Sequence, residues 1–337
     1  MKKHKICKIL LVILTIFLCV AFYELLGICI AYKKQPEVSN TTKKETKNGS
    51  WNECSENTER AVIIEKNPEA LLQRVRLIQN AKEEIILSTF AFKSDESGKL
   101  ILGALHDAAD RGVHIRLLVD GMESWIDMEG NPYFYGLSSH ENVEIKLYNK
   151  ANPLKPWKMM GRMHDKYLIA DGKTYILGGR NTYNYFLGDF PGHKNYDRDV
   201  LVVCDEPEKE NSVNQLLDYF ETIWDQEDSG YFHNNKKLAN RKSVKNAVLE
   251  LQNGYQKYFE ENKERICDTD YTDETFETEK IALVSNPIHT GSKEPVVWYQ
   301  LGELMKNAKN RVKIHTPYII CNDMMYNTWE EIAENVS

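Results

Sequence analysis

Met163-His164-Asp165-Lys166-Tyr167-Leu168-Ile169-Ala170-Asp171, with Gly178-Gly179-Arg180-Asn181 following after six residues, decides how the rest of this chain is read. The pattern is H-x-K-x4-D-x6-G-G-x-N. Tyr167 to Ala170 is apolar and β-prone, and on a strand alternate side chains share a face, so the His164 imidazole and the Lys166 ammonium project side by side. Asp171-Gly172 is a strong hairpin signal. Thr174 to Leu177 then returns antiparallel and ends in Gly178-Gly179, where a backbone can approach a ligand closely. Asn181 adds a neutral donor. A nucleophile, a cation and an amide on one surface suit attack on a phosphodiester, whose non-bridging oxygens gain charge as a nitrogen attacks phosphorus.

The pattern resembles the signature of the phospholipase D superfamily, H-x-K-x4-D with a G-G-x-N extension, and every signature position is filled. Other stretches are similar to bacterial cardiolipin synthases: Leu77 to Lys82, Ala109-Asp110-Arg111-Gly112-Val113, Leu117 to Gly121, Arg162-Met163-His164, Asp197-Arg198-Asp199-Val200 and Phe220 to Trp224. The resemblance runs from about residue 62 to 230. It implies a phospholipase D-like α/β sandwich in which His164 is the nucleophile and forms a phosphohistidine. Lys166 and Asn181 then hold the phosphoryl oxygens, and Gly178 and Gly179 permit close packing of the pocket floor. Asp171, at the hairpin tip, fixes backbone and ring geometry. Asp197 and Asp199 either support the site or serve as turn and capping residues. The resemblance implies no metal or other cofactor, and no His/Cys/carboxylate spacing suggests zinc.

Charge and length frame this reading. The chain has 337 residues and a net charge of −7, which gives no overall nucleic-acid footprint, and no nucleic-acid partner is expected. Lys150, Lys155, Lys158, Arg162, Lys166, Lys173 and Arg180 nevertheless fall between 150 and 180, against Asp165 and Asp171 alone. A basic pocket on an acidic protein favours a compact anion such as a phosphate headgroup. Trp157, Lys158 and Arg162 either grip that headgroup or form a solvated rim. His193 and His315 are weaker candidates for substrate contact. Ile9 to Ala31 is almost unbroken apolar sequence, about 35 Å long as a helix, which suits an uncleaved single membrane anchor. Lysines flank it on both sides, so its orientation is not readable. Cys54, Cys204, Cys267 and Cys321 are widely spaced and follow no metal pattern.

Five segments follow: an anchor over 1–32, a polar tether over 33–60, a phospholipase D-like domain over 61–230, a helical and acidic connector over 231–279, and the start of a second half over 280–337. Within the domain, strands begin at Val62, Ile85, Val113, Val143 and Asp199, alternating with helices at 68–81, 101–111 and 213–224. Residues 240–264 read as helical, 268–279 as a solvated acidic link, and 280–284 as a strand. Asn80-Ala81-Lys82 followed by Ile85 to Thr89 recurs as Asn307-Ala308-Lys309 followed by Val312 to Thr316, an offset of 227 residues. The resemblance implies a pseudo-dimer with one signature motif per half. The sequence holds one, so a truncated second half is expected, with the missing motif coming from another chain or a second copy. The leading functional reading is phosphatidyl transfer of the cardiolipin synthase type, with a phosphatidylglycerol-like substrate at a membrane. The alternatives are a hydrolytic phospholipase D or phosphodiesterase, and an inactive lipid-binding fragment.

Overall fold

The computed structural model describes residues 2–49, 59–206, 211–233, 235–316 and 319–335. Nine strands form one mixed sheet: β1 (Glu59–Ile64), β2 (Glu84–Thr89), β3 (His114–Asp120), β4 (Val143–Tyr148), β5 (Lys166–Ala170), β6 (Thr174–Gly178), β7 (Asp199–Cys204), β8 (Ser229–Tyr231) and β9 (Phe276–Glu277). Their order is β8-β4-β3-β2-β5-β6-β7-β1-β9. Strands β2, β3 and β4 run parallel, and the remaining pairings are antiparallel. The helices are α1 (Lys2–Ala31), α2 (Asn40–Asn48), α3 (Asn67–Asn80), α4 (Glu96–Asp110), α5 (Gly121–Asp127), α6 (Pro132–Ser138), α7 (Ser212–Trp224), α8 (Lys242–Cys267), α9 (Val296–Lys306) and α10 (Asp323–Asn335).

Period-two alternation makes the sheet two-faced. Ile85, Leu87, Leu168 and Ala170 join one core, built with α3, α4, α6 and α8. Ile86, Tyr167 and Ile169 join the other, covered by α7 through Val213, Leu216, Phe220 and Ile223. Each of these four side chains is buried to within 1%, contributing about 1.5–3 kcal/mol of hydrophobic stabilisation. This is the expected α/β sandwich. The expected strands and helices of the domain are all present, with ends shifted by a few residues. The short helices α5 and α6, which carry the chain from β3 to β4, were not anticipated.

The segments flanking the domain depart from the sequence reading. The polar tether contains α2, capped by Ser39 at its start and by Gly49 (φ 76°) at its end. Glu294 holds it in place by accepting from Ser39 N at 2.8 Å and from Thr42 Oγ1 at 2.7 Å. Residues 50–58, including Cys54, lie outside the described residues. Helix α8, bent at Asn262, adds Val244, Leu251 and Tyr255 to the larger core. Gly103 permits that approach, since a Cβ there would lie 2.7 Å from Leu251 O.

The acidic link is also no loose connector. The buried Arg76 guanidinium donates to Asp268 O and Asp270 O, pairs with Glu274 and lies 3.9 Å from the centre of the Tyr271 ring. This strap ends in β9, which pairs with β1. Residues 280–284 and 312–316 are irregular rather than strands. A β-prone run becomes a strand only where another strand receives it, and neither run pairs with this sheet, whose outermost strands are β8 and β9.

Candidate active site

The turn between β5 and β6 does what its sequence demands. Asp171 (φ 52°) and Gly172 (φ 60°) both adopt left-handed backbone, and Lys173 N donates to Ala170 O. The Asp171 carboxylate points away from any ligand. It accepts from the backbone N–H groups of Lys82, Glu83 and Glu84 at 2.8–3.2 Å, pinning the hairpin to the turn that opens β2. Asp171 lies one strand length from Lys166, roughly 16 Å at the usual rise per residue, so it cannot touch the same phosphorus.

At the other end of β5, Lys166 opens the strand and His164 lies in the extended chain just before it. Asp120, buried at the end of β3, positions this lead-in. Its carboxylate takes Arg162 Nε at 2.9 Å and Met163 N at 3.1 Å, and also caps α5. His164 sits at the mouth of a cavity of about 380 Å³, its ring centre 4.5 Å from that of Phe90. The same Phe90 ring lies 4.9 Å from the Arg162 guanidinium and 5.2 Å from Lys166 Nζ. Crowding of the imidazole, then the charges of Lys166 and Arg162, holds its pKa below the ordinary value. His164 is therefore neutral, with a free nitrogen lone pair, at pH 7. Burial lowers Lys166 to about 8, opposed by Asp165, Asp197 and Asp120, and its Nζ donates to His164 O at 2.5 Å.

The cavity lies chiefly on the α7 side of the sheet. Asp165, alternating with His164 and Lys166, turns that way and accepts from Tyr219 Oη at 2.7 Å. Burial raises the Asp165 pKa. Tyr148 contributes a hydroxyl that is buried without a hydrogen-bond partner among the described residues, so it is available to a polar occupant. The far wall comes from Leu283 to Asn286 and from Lys293, whose Nζ reaches Arg162 O at 3.4 Å. Burial lowers the Lys293 pKa, and Asp165 opposes the shift.

The structure thus brings Arg162, His164, Lys166 and Gly178 to one cavity and leaves Asp171, Gly179 and Asn181 out of its lining. Gly178 and Gly179 do permit close approach, but to carboxylates. A Cβ on Gly178 would fall 2.0 Å from Asp199 Oδ1, and one on Gly179 would fall 2.1 Å from Asp197 Oδ2. Asn181 is buried, with Oδ1 accepting from Ala91 N at the end of β2. Asp199 is a buried counter-ion, 2.9 Å from Arg74 and 3.2 Å from Arg180. Arg180 in turn donates to Ile64 O and Glu65 O, locking β1 to the site. Lys158 and Arg162 are not free headgroup clamps, because Lys158 pairs with Asp228 and Arg162 with Asp120 and Glu123. His193 stacks near Tyr185, and His315 lies on irregular chain beside Arg198. Phe90, Asp120, Asp165, Tyr148 and Lys293 were missed. Asp120 carried a faint signal, standing with Gly121 at a strand end.

Comparison with known proteins agrees with this geometry. Residues 74–224, which hold the whole signature, match the family described as "Cardiolipin synthase, PLD-like domain". Residues 74–224 thus form a phospholipase D-like domain similar to those of cardiolipin synthases. The chain is 29% identical to cardiolipin synthase C of Escherichia coli over 42% of this chain and 31% of that protein. It is 30% identical to an uncharacterized protein of Helicobacter pylori over 58% of this chain and 39% of the other. The chain therefore spans less than two fifths of the length of these relatives. The fold is similar to that of phosphatidylserine synthase from Haemophilus influenzae, with a TM-score of 0.55 at 15% identity, over 88% of this chain and 64% of that one.

Proposed function

We propose that this phospholipase D-like chain transfers phosphatidyl groups between phospholipids, as a cardiolipin synthase does, with His164 as the nucleophile. The observation that carries this is a neutral imidazole lining a cavity together with a buried ammonium two residues further on. The imidazole nitrogen attacks phosphorus, the bond to the leaving alcohol breaks, and a general acid gives that alcohol its proton. The acceptor hydroxyl then attacks the phosphohistidine, losing its proton to the same group as the phosphorus–nitrogen bond breaks. Lys166 holds the non-bridging oxygens as their charge grows. With Oδ1 committed to Ala91, Asn181 has only its NH2 group to offer the same oxygens.

Residues 1–337 contain one H-x-K-x4-D motif, and the general acid is assigned to a second such motif that completes the site. Water in place of the acceptor hydroxyl gives the hydrolytic reading with the same residues. The test uses full-length protein in vesicles of phosphatidylethanolamine and phosphatidylglycerol, the latter labelled in its acyl chains and then quenched without acid. Label should appear on His164 of the wild type and vanish in His164→Gln, with turnover falling about a thousand-fold or more. Label on another residue, or turnover near wild type in the variant, would sink the assignment.

A further inference from the structure

Among the described residues, α1 contains the one helix long and apolar enough to cross a membrane, Lys5–Ala31, with none of its apolar stretch buried by protein. Its C-terminal end is nonetheless packed against the catalytic body. A Cβ on Gly27 would fall 2.5 Å from Pro156 Cγ, and Tyr23 Oη donates to Leu154 O at 3.0 Å. One turn further on, Tyr32 Oη donates to Thr290 O at 2.6 Å, and Ser292 Oγ donates to Ala31 O at 3.2 Å.

These contacts set a depth. Ala31 is the last residue of the apolar run, followed shortly by Lys33 and Lys34. At the helical rise, Gly27 lies about 6 Å and Tyr23 about 12 Å inside that end. The chain over 151–160 is therefore level with the outer part of the apolar helix rather than beyond it. Its side chains suit that level. Leu154 is 77% exposed, Met160 57% and Trp157 46%, three large apolar groups within seven residues. Lys155 is exposed among them, and Lys158 turns back to Asp228. A cluster of this kind facing water would be unfavourable, whereas apolar bodies with Trp and Lys beside them belong at the boundary between headgroups and acyl chains.

We infer that residues 151–160 form a lip inserted into the headgroup–acyl boundary of a phospholipid bilayer, seated there by its packing on α1. The inference rests on α1 crossing the bilayer. The lip runs directly into Arg162-Met163-His164, so it places the cavity mouth at the height of the lipid phosphodiesters. A phospholipid then reaches His164 without leaving the membrane.

The test is photo-crosslinking of the full-length chain in vesicles of phosphatidylethanolamine and phosphatidylglycerol. A diazirine analogue of leucine replaces Leu14, Leu154 or Leu249 one at a time. All three are exposed, so the exchange should leave folding intact. Leu14 lies in mid-helix and Leu249 on the outer face of α8. Lipid adducts are expected at Leu14 and Leu154, about ten-fold or more above Leu249. Adducts at Leu14 with Leu154 at the level of Leu249 would overturn the lip and leave the anchor standing. No adduct at Leu14 would overturn both.

Discussion

His164 and Lys166 are tuned in the same direction for the same reason. Protein around each penalises its charged form, so both pKa values fall. Below its lowered pKa His164 is protonated and has no lone pair to give, and above about 8 Lys166 loses the charge with which it is proposed to hold the phosphoryl oxygens. The rate of the assembled enzyme should follow a bell in pH, with an acid limb below 6.5 and an alkaline limb near 8, read from kcat/KM. A profile flat from 7 to 10 would remove Lys166 from the chemistry. Burial of that ammonium also costs stability. Between pH 8 and 10.5 the unfolded chain binds the proton that the folded chain has shed, so stability rises with pH across this window. Lys166→Met should abolish turnover yet stabilise the fold at pH 7 by about 1–3 kcal/mol. Its advantage over wild type in thermal denaturation should shrink as pH is raised through the same window. At this scale spacing set His164 beside Lys166, and the family resemblance gave them their proposed roles of nucleophile and cation. Phe90, Asp120 and Lys293 carried no spacing to mark them, because they come from other strands and from the far wall.

At the scale of elements, the signature hairpin is chiefly a device for holding the two groups proposed for the chemistry. Asp171 occupies an invariant-looking place in the pattern, but its three backbone partners make it a clamp between the β5–β6 turn and β2. Asp171→Ala leaves those N–H groups without their acceptor and should cost about 2–3 kcal/mol in urea denaturation. Turnover of the folded fraction should fall far less than in His164→Gln. Full stability with abolished turnover would instead give Asp171 a chemical role. The glycine pair tells a similar story. Its lack of side chains admits the carboxylates of Asp197 and Asp199, and the second of these pairs with both Arg74 and Arg180 in the interior. The strands and the hairpin were legible because their periodicity is local. The absence of strands at 280–284 and 312–316 was not, since pairing depends on what lies alongside.

At the scale of the whole molecule, the segments outside the sandwich are tied to it by polar contacts. Glu294 secures α2, Lys293 closes the cavity, and Arg76 gathers the acidic strap so that β9 can cover the edge at β1. Arg76→Ala removes a buried cation that holds two carbonyls and two carboxylates. It should free residues 268–277, seen as rapid amide exchange and new proteolytic cuts there, with a loss of about 2–4 kcal/mol in global stability. Protection of that segment unchanged from wild type would mean that Tyr271 and β9 hold it without the arginine.

The amino-acid sequence by itself determined the sandwich, the hairpin, the apolar N-terminal helix and the pairing of His164 with Lys166. Each follows from periodicity or spacing within a few residues, where the chain's own geometry decides which side chains share a face. Only the tertiary structure decided which backbone groups Asp171 clamps, that Lys158 and Arg162 are already paired, and that the cavity opens toward α7 with Lys293 on its far wall. The packing of 151–160 on α1, at a definite depth along it, belongs to the same group. Those outcomes depend on which residues distant in sequence meet, and burial and charge pairing at such meetings have no local signature.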